Sequence, residues 1–265
     1  MQIAAEYGGQ IVNADAIQVF DGWRVLSARP SQEDEAEFPH RLYGHIPIDG
    51  KYSVGHWLRD IAPILVEKTR PIIVGGTGLY FSALTQGLAE IPATPSDVRK
   101  LADEIRAKDG FETMLTALNQ NTLNRIDVNN PMRVQRAWEV LQSTGRNISD
   151  WQDATPPALL PLDKVTPIVF DVDKDWLTNR IDRRFDLMLE HGALDEAREN
   201  LATWNPKNLS SKAIGAPELI DYLLGKQSIE QAREKATIAT RQYAKRQRTW
   251  FRARMSDWIK WTPEI

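Results

Sequence analysis

The chain has 265 residues, of which 42% are hydrophobic and 26% charged, with a formal net charge of −3 at neutral pH. That composition belongs to a globular protein with room for one large domain or a core and a smaller lobe. With no cysteine there is no disulfide framework and no thiolate chemistry, and no apolar run approaches the roughly 20 residues that span a bilayer.

Met1–Gly9 is too short and too polar for a secretory signal, so a cytoplasmic location with no membrane attachment is expected. Ile3, Ala4 and Tyr7 fall on one helical face, and Gly8-Gly9 stops that helix. Gln10 to Ala14 reads as a short strand with Asp15 at its carboxyl edge. Residues 31–37 are an acidic loop or helix start. Ser53 caps a helix reaching about Lys68, with Tyr52, His56, Trp57 and Ile61 among its facing residues. Pro71-Ile72-Ile73-Val74 before Gly75-Gly76 has the pattern of a buried parallel strand, and Thr77 caps the helix that runs through Leu84 to Gly87. Helices and strands alternating in this way predict an α/β layer with a parallel sheet.

Pro92 and Pro95 break that pattern. The chain then reads as helical to about Trp151, with caps at Ser96 and near Asn130-Pro131, and Thr155–Pro161 marks a second boundary. The expected organisation is a core from residues 1–95 and 161–265, with a helical insertion at 96–160. Val165–Val172 reads as a further strand returning to the first layer. A long helix from about Ser228 to Trp258 follows. On it, Ile229, Ala232, Ala236, Ala239, Tyr243 and Trp250 form an apolar seam. Arg241, Lys245, Arg248 and Arg252 follow a separate stripe, either a phosphate track or a solvated face.

Few residues suggest chemistry on their own. The four histidines are scattered without zinc-site spacing, so no metal ligands are assigned. Asp15 at a strand end can be a base or metal ligand, or simply a turn or cap residue. Gly75-Gly76-Thr77-Gly78 lets a backbone approach a ligand closely, or is a tight turn; it places Thr77 on the same sheet edge as Asp15. Arg133 and Arg136 share a helix face and can clamp a phosphate, or pair with Asp127 and Glu139. Lys212 can neutralise a phosphate, or be an ordinary surface lysine.

The order of these blocks says more. Asn13–Phe20, Gly75–Phe81, Asn130 through Val140 with Thr144-Gly145-Arg146, Lys212–Gly215 and Thr240–Arg252 resemble, in family order, the tRNA dimethylallyltransferases. The resemblance implies a P-loop-NTPase-like parallel core with a helical tRNA-binding insertion. It implies transfer of a dimethylallyl group from its diphosphate to N6 of the adenosine 3′ of the anticodon, in tRNAs reading codons that begin with U. Carried over to this sequence, Asp15 is the base and Thr77 lies at the reaction channel. Asp15, Ala16, Ile17, Gln18, Thr77, Arg99, Met132, Arg133, Val134, Gln135 and Arg136 contact tRNA. Lys212 and Arg241 face the diphosphate, Mg²⁺ accompanies it, and the protein works as a monomer on the anticodon stem-loop.

One departure matters. Family members carry a first strand and a Gly-rich loop ending Gly-Lys-Ser/Thr, and no G-x-x-x-x-G-K-[ST] occurs in this chain. The expectation is a sheet with a gap and a 265-residue form with little or no activity. The sequence then either starts at an internal Met of a longer protein or is a short form that binds RNA without catalysis. A related enzyme prenylating free AMP or ATP is a third reading.

Overall fold

The computed structural model describes residues 1–262. The chain separates into two compact units: Met1–Thr85 together with the chain from Leu160 onward, and Gln86–Leu159.

In the first unit, a short helix α1 (Gln2–Tyr7) leads to strand β1 (Gln10–Asn13), whose four residues are all buried. A strand buried on both faces belongs in the middle of a parallel sheet. β1 is flanked by β2 (His40–Arg41) and β3 (Pro71–Val74), both parallel to it, with Ile11 opposite His40 on one side and Ile72 on the other. A short helix α2 (Gln32–Glu37) precedes β2, with Ser31 and Asp34 forming a reciprocal capping box. Helix α3 (Val54–Leu65) starts at Ser53, whose hydroxyl accepts from His56 N–H. It buries Trp57, Ile61 and Ile64 against Val12, Ala14, Tyr80 and Leu84. The Trp57 indole stacks on Tyr80 with ring centroids 4.6 Å apart and donates to the Asn13 carbonyl at 2.7 Å. One side chain therefore fills the core and fixes the end of β1. Truncating a buried Trp typically costs about 3–5 kcal/mol. Helix α4 (Gly78–Gln86) follows β3.

Several expectations change here. In α1 only Ala4 is buried, while Ile3 and Tyr7 are exposed, because the six-residue helix meets the core through one position. The strand expected at 165–172 is β4 (Ile168–Phe170), and it does not join the first sheet. It pairs in parallel with β5 (Ile259–Trp261). β5 lies beyond the long helix, which stops at Arg254 rather than at Trp258. Ile259-Lys260-Trp261 is β-branched and aromatic, and its first N–H donates to the Pro167 carbonyl at 2.9 Å.

Between β4 and β5 lie α10 (Lys174–Glu190), α11 (Ala193–Asn200), α12 (Ala216–Leu223) and α13 (Ile229–Arg254), numbered after the second unit's five helices. Alanines at 193, 197, 216, 232 and 236 are fully buried and let these helices pack closely around Trp23, Phe185 and Leu219. Asp186 pairs with Arg233 and Asp182 with Arg241. Rising numbers on one helix meet falling numbers on the other, so α10 and α13 run antiparallel.

The second unit contains α5 (Ser96–Lys108), α6 (Glu112–Leu115), α7 (Gln120–Arg125), α8 (Pro131–Thr144) and α9 (Ile148–Asp153). Ser96 begins α5 without capping it; the cap position is Pro95. α8 has the strongest end signals. Asn130 Oδ1 accepts from Met132 and Arg133 N–H, Pro131 takes the first position, and Gly145 ends the helix with φ 68°. α5, α6 and α8 close over Ala102, Met114, Val134 and Trp138. Among the described residues no helix is long and apolar enough to cross a membrane.

Candidate active site

The site is built where β1 and β3 end side by side. Ala14 N–H donates to Val74 O at 2.8 Å, and Thr77 N–H to Ala14 O at 3.2 Å. A Cβ at Gly75 would collide with the Ala14 backbone, so only glycine lets the two strand ends approach this closely. Thr77 does not spend its hydroxyl on capping α4. Its Oγ1 accepts from Ala16 N–H at 2.9 Å, which joins the turn after β1 to the turn after β3.

Asn13 shapes the first of these turns. Its Oδ1 accepts from Asp15 N–H at 2.8 Å, and its Nδ2 donates to Asp15 O at 2.9 Å and Leu42 O at 3.0 Å. Asp15 then divides its carboxylate. Oδ1 accepts from Ile17 N–H at 2.8 Å and, more weakly, from Gln18 N–H at 3.4 Å. Oδ2 takes no hydrogen bond among the described residues. It lies beside Gly76, where an added Cβ would stand 3.1 Å away. One oxygen holds the turn and the other is left for a ligand.

Four more side chains feel this carboxylate. Burial, followed by the Asp15 charge, pushes the Tyr43 and Tyr243 phenols up to about 12 and raises that of Tyr80. All three are therefore neutral O–H donors at physiological pH. The Arg184 guanidinium on α10 is lowered by desolvation and by Arg180, and Asp15 partly offsets this. Yet Arg184 is exposed by surface area. α13 lies over the same turn: Gln247 Nε2 donates to Gly76 O at 2.8 Å, and the Trp250 ring occupies the space a side chain at position 78 would need.

The structure thus brings Asp15, Ala16, Ile17, Gln18 and Thr77 together. Gln18 turns its amide inward, donating to Ser27 O and Ala28 O at 2.9 Å each. Ile17 packs against the cluster around Trp23. Lys212 is exposed on a 3₁₀ turn, and Arg241 is held by Asp182 with contacts of 2.7 and 2.5 Å. Among the described residues no hydrogen bond or ion pair joins either of them to Asp15 or Thr77.

In the second unit, Met132 and Arg133 are exposed at the start of α8, with Met132 Sδ 2.8 Å from Arg106 Nη1. Val134 is fully buried. Gln135 is buried and donates to Asp103 and Glu139, both at 2.9 Å. Arg99 and Arg136 both approach the Glu139 carboxylate, at 3.8 Å each, and Arg136 also donates to Thr94 Oγ1.

Sequence reasoning missed Arg184 and the three tyrosines. Arg180 and Arg184 are four residues apart and so share a helical face. That spacing was a usable signal, but the approach of α10 to Asp15 was not. Among the described residues no group of three His, Asp or Glu side chains converges as a metal site. Asp15 also spends one oxygen on its own turn. The donor set does not fit a protein-held Mg²⁺.

The chain is similar to known proteins over nearly its whole length. A family model described as IPP transferase matches residues 18–254. The chain is 58% identical over 257 residues to a tRNA dimethylallyltransferase of Cereibacter sphaeroides, covering 97% of this chain and 88% of that one. It is 55% identical over 264 residues to a tRNA dimethylallyltransferase of a Ruegeria species, covering 100% and 90%. It also resembles the crystal structure of a full-length tRNA isopentenylpyrophosphate transferase from Bacillus halodurans, with 28% identity, a TM-score of 0.67, and coverage of 98% of this chain and 84% of that one.

Proposed function

The chain belongs to the IPP transferase family, and on that premise we propose that it transfers a dimethylallyl group from dimethylallyl diphosphate to N6 of the adenosine on the 3′ side of the anticodon, in tRNAs reading codons that begin with U. The observation that carries the chemistry is the divided carboxylate of Asp15. N6 is a poor nucleophile because its lone pair is delocalised into the purine. As it attacks the allylic carbon, the carbon–oxygen bond breaks toward the diphosphate, and the N6 proton moves to Asp15 Oδ2. Oδ1 stays on the Ile17 amide, so the base is held in place while it works.

Charge developing on the leaving diphosphate needs cations in a water-poor concavity. Arg184 on α10 is one candidate cation, and Lys212 is a second. Arg241 is also assigned to the diphosphate, in exchange for its pairing with Asp182. Magnesium, if it accompanies the donor, would offset negative charge on the leaving diphosphate and would be carried with the donor, since the described residues form no metal site. The target base must leave its stack, typically at a cost of a few kcal/mol. The Asp15–Gln18 turn and Thr77 meet the extruded nucleotide. Arg99, Met132 and Arg133 offer exposed contacts to the anticodon stem-loop. Val134, Gln135 and Arg136 act there mainly by shaping α8. The working form is read as a cytoplasmic monomer.

The test is dimethylallyl transfer to an unmodified anticodon stem-loop in competition with AMP. RNA is expected to be the acceptor, with the label on the adenosine beside the anticodon. Preferential labelling of AMP would overturn the reading.

A further inference from the structure

Between Ala14 and Ser31 the chain carries the candidate base but no helix or strand. Its backbone polar groups must therefore find other partners. Some are met by the backbone, as where Ala28 N–H donates to Val25 O at 3.0 Å and Arg29 N–H to Arg24 O at 2.9 Å, and side chains supply many of the rest. Arg29 donates to the Phe20 and Asp21 carbonyls at 3.0 and 3.1 Å, and Asn200 to the Gly22 carbonyl at 2.7 Å. The largest share falls to Glu196 on α11. Its Oε1 accepts from Arg24 N–H and from Val25 N–H at 2.9 Å, and its Oε2 from Leu26 N–H at 3.0 Å. Successive amides converging in this way form an anion-binding concavity. Here a carboxylate about 170 residues away in sequence fills it.

We propose that Glu196 is a positioning residue for the transfer reaction, acting on Asp15 through this loop. The connection can be followed bond by bond. Glu196 fixes the amides of Arg24 to Leu26, and the next two carbonyls, of Ser27 and Ala28, receive the Gln18 amide. Gln18 N–H and its neighbour Ile17 N–H both point at Asp15 Oδ1. Releasing Glu196 lets the 24–28 turn relax, frees Gln18, and loosens the pair of amides that aim Asp15. The side chain of Arg24 is held separately by Pro30 O and Glu35, so the loop keeps an outer anchor when the inner one is lost.

The proposal rests on the reading of Asp15 as the base, and its test separates the two. In Glu196→Gln the side chain keeps its length and one carbonyl oxygen, but it turns a donor toward the Leu26 N–H. Amide hydrogen exchange and stem-loop affinity are measured on the full chain. Exchange is expected to rise about tenfold or more at Arg24–Leu26 and also at Ile17 and Gln18, with affinity falling about tenfold, the scale of one charge-assisted hydrogen bond. The melting temperature should fall far less than it would on loss of the core. Faster exchange confined to Arg24–Leu26, with Ile17, Gln18 and affinity unchanged, would make Glu196 a fold brace only and overturn the proposal. If the unsubstituted chain does not bind the stem-loop, the tRNA reading fails, and exchange at Ile17 and Gln18 still decides whether Glu196 positions the turn. Should Glu196→Gln not fold, Glu196→Asp, which pulls the carboxylate back from the amides, is judged on the same exchange readout.

Discussion

Two carboxylates, one in each unit, show how similar chemistry is put to different use. Glu139 on α8 is buried and surrounded by Gln135 Nε2 at 2.9 Å and by the guanidiniums of Arg99 and Arg136 at 3.8 Å. One oxygen accepts a hydrogen bond and the other faces two guanidinium charges, all from its own unit. Asp15 is half-buried, and only Oδ1 is engaged, by the backbone of its own turn. A buried carboxylate flanked by two guanidiniums can brace a fold. A carboxylate with one oxygen fixed and the other unclaimed can accept a proton without losing its place.

The largest effect should come from removing the unclaimed oxygen. Asp15→Asn keeps an amide oxygen for the Ile17 N–H and so preserves the turn, but it has no base. The rate of the chemical step should fall about 10²- to 10⁴-fold, the usual range for a general base. Stem-loop affinity should change about threefold at most, less than 1 kcal/mol. Single-turnover rates and binding measured together check this, and equal losses in both would remove Asp15 from the role.

Glu139→Ala probes the other side of the comparison. It strips Gln135, Arg99 and Arg136 of a shared acceptor, and Gln135 already has a buried Oε1 without a partner. A stability loss of about 1–3 kcal/mol is expected from leaving such groups unsatisfied. It should stay below the value for a fully buried ion pair, because the Arg99 side chain is 60% exposed. The rate at saturating RNA should hold. If that rate collapses while thermal stability is unchanged, Glu139 is no mere brace and the contrast with Asp15 breaks.

How far the sequence displayed these roles follows from how local each one is. The starts of α3, α8 and α13 were readable because a cap and its target lie within three residues. The parallel pairing of β1 with β3 followed from two short apolar runs, and with it the meeting of Asp15 and Thr77. β4 was legible as a strand but not its partner, and β5 was missed, since a three-residue strand carries almost no periodicity and Ile259–Trp261 continues a helical pattern without a clear stop. The phenols of Tyr43 and Tyr243 and the Arg184 guanidinium reach Asp15 from three separate elements, and no spacing within one segment encodes that. Glu196 shows the same limit: on α11 it reads as an exposed acid, and only the returning loop gives it three amides to hold.

The tyrosines provide the finest test, because the units differ in a residue type. No tyrosine occurs in Gln86–Leu159, whereas Tyr43 and Tyr243 in the first unit are both pushed up to about 12. An unfolded phenol titrates near 10. The folded form therefore holds the proton more tightly, and between about pH 10 and 12 it binds more protons than the unfolded chain. That contribution to stability is complete below pH 10 and is lost as the pH rises through about 12. Tyr43→Phe removes one of the raised phenols of the first unit, among which Tyr52 and Tyr80 also lie, so melting temperature should decline less steeply with pH across that window. The difference at pH 11 should be on the order of 2 °C after allowance for solvent screening. Tyr243 remains, so the slope should shrink rather than vanish. Followed by exchange of individual amides, the alkaline loosening should begin in the first unit, around Asp15 and the loop that holds it. Loosening that began in α5 or α8 would show that the phenols around Asp15 do not govern alkaline stability.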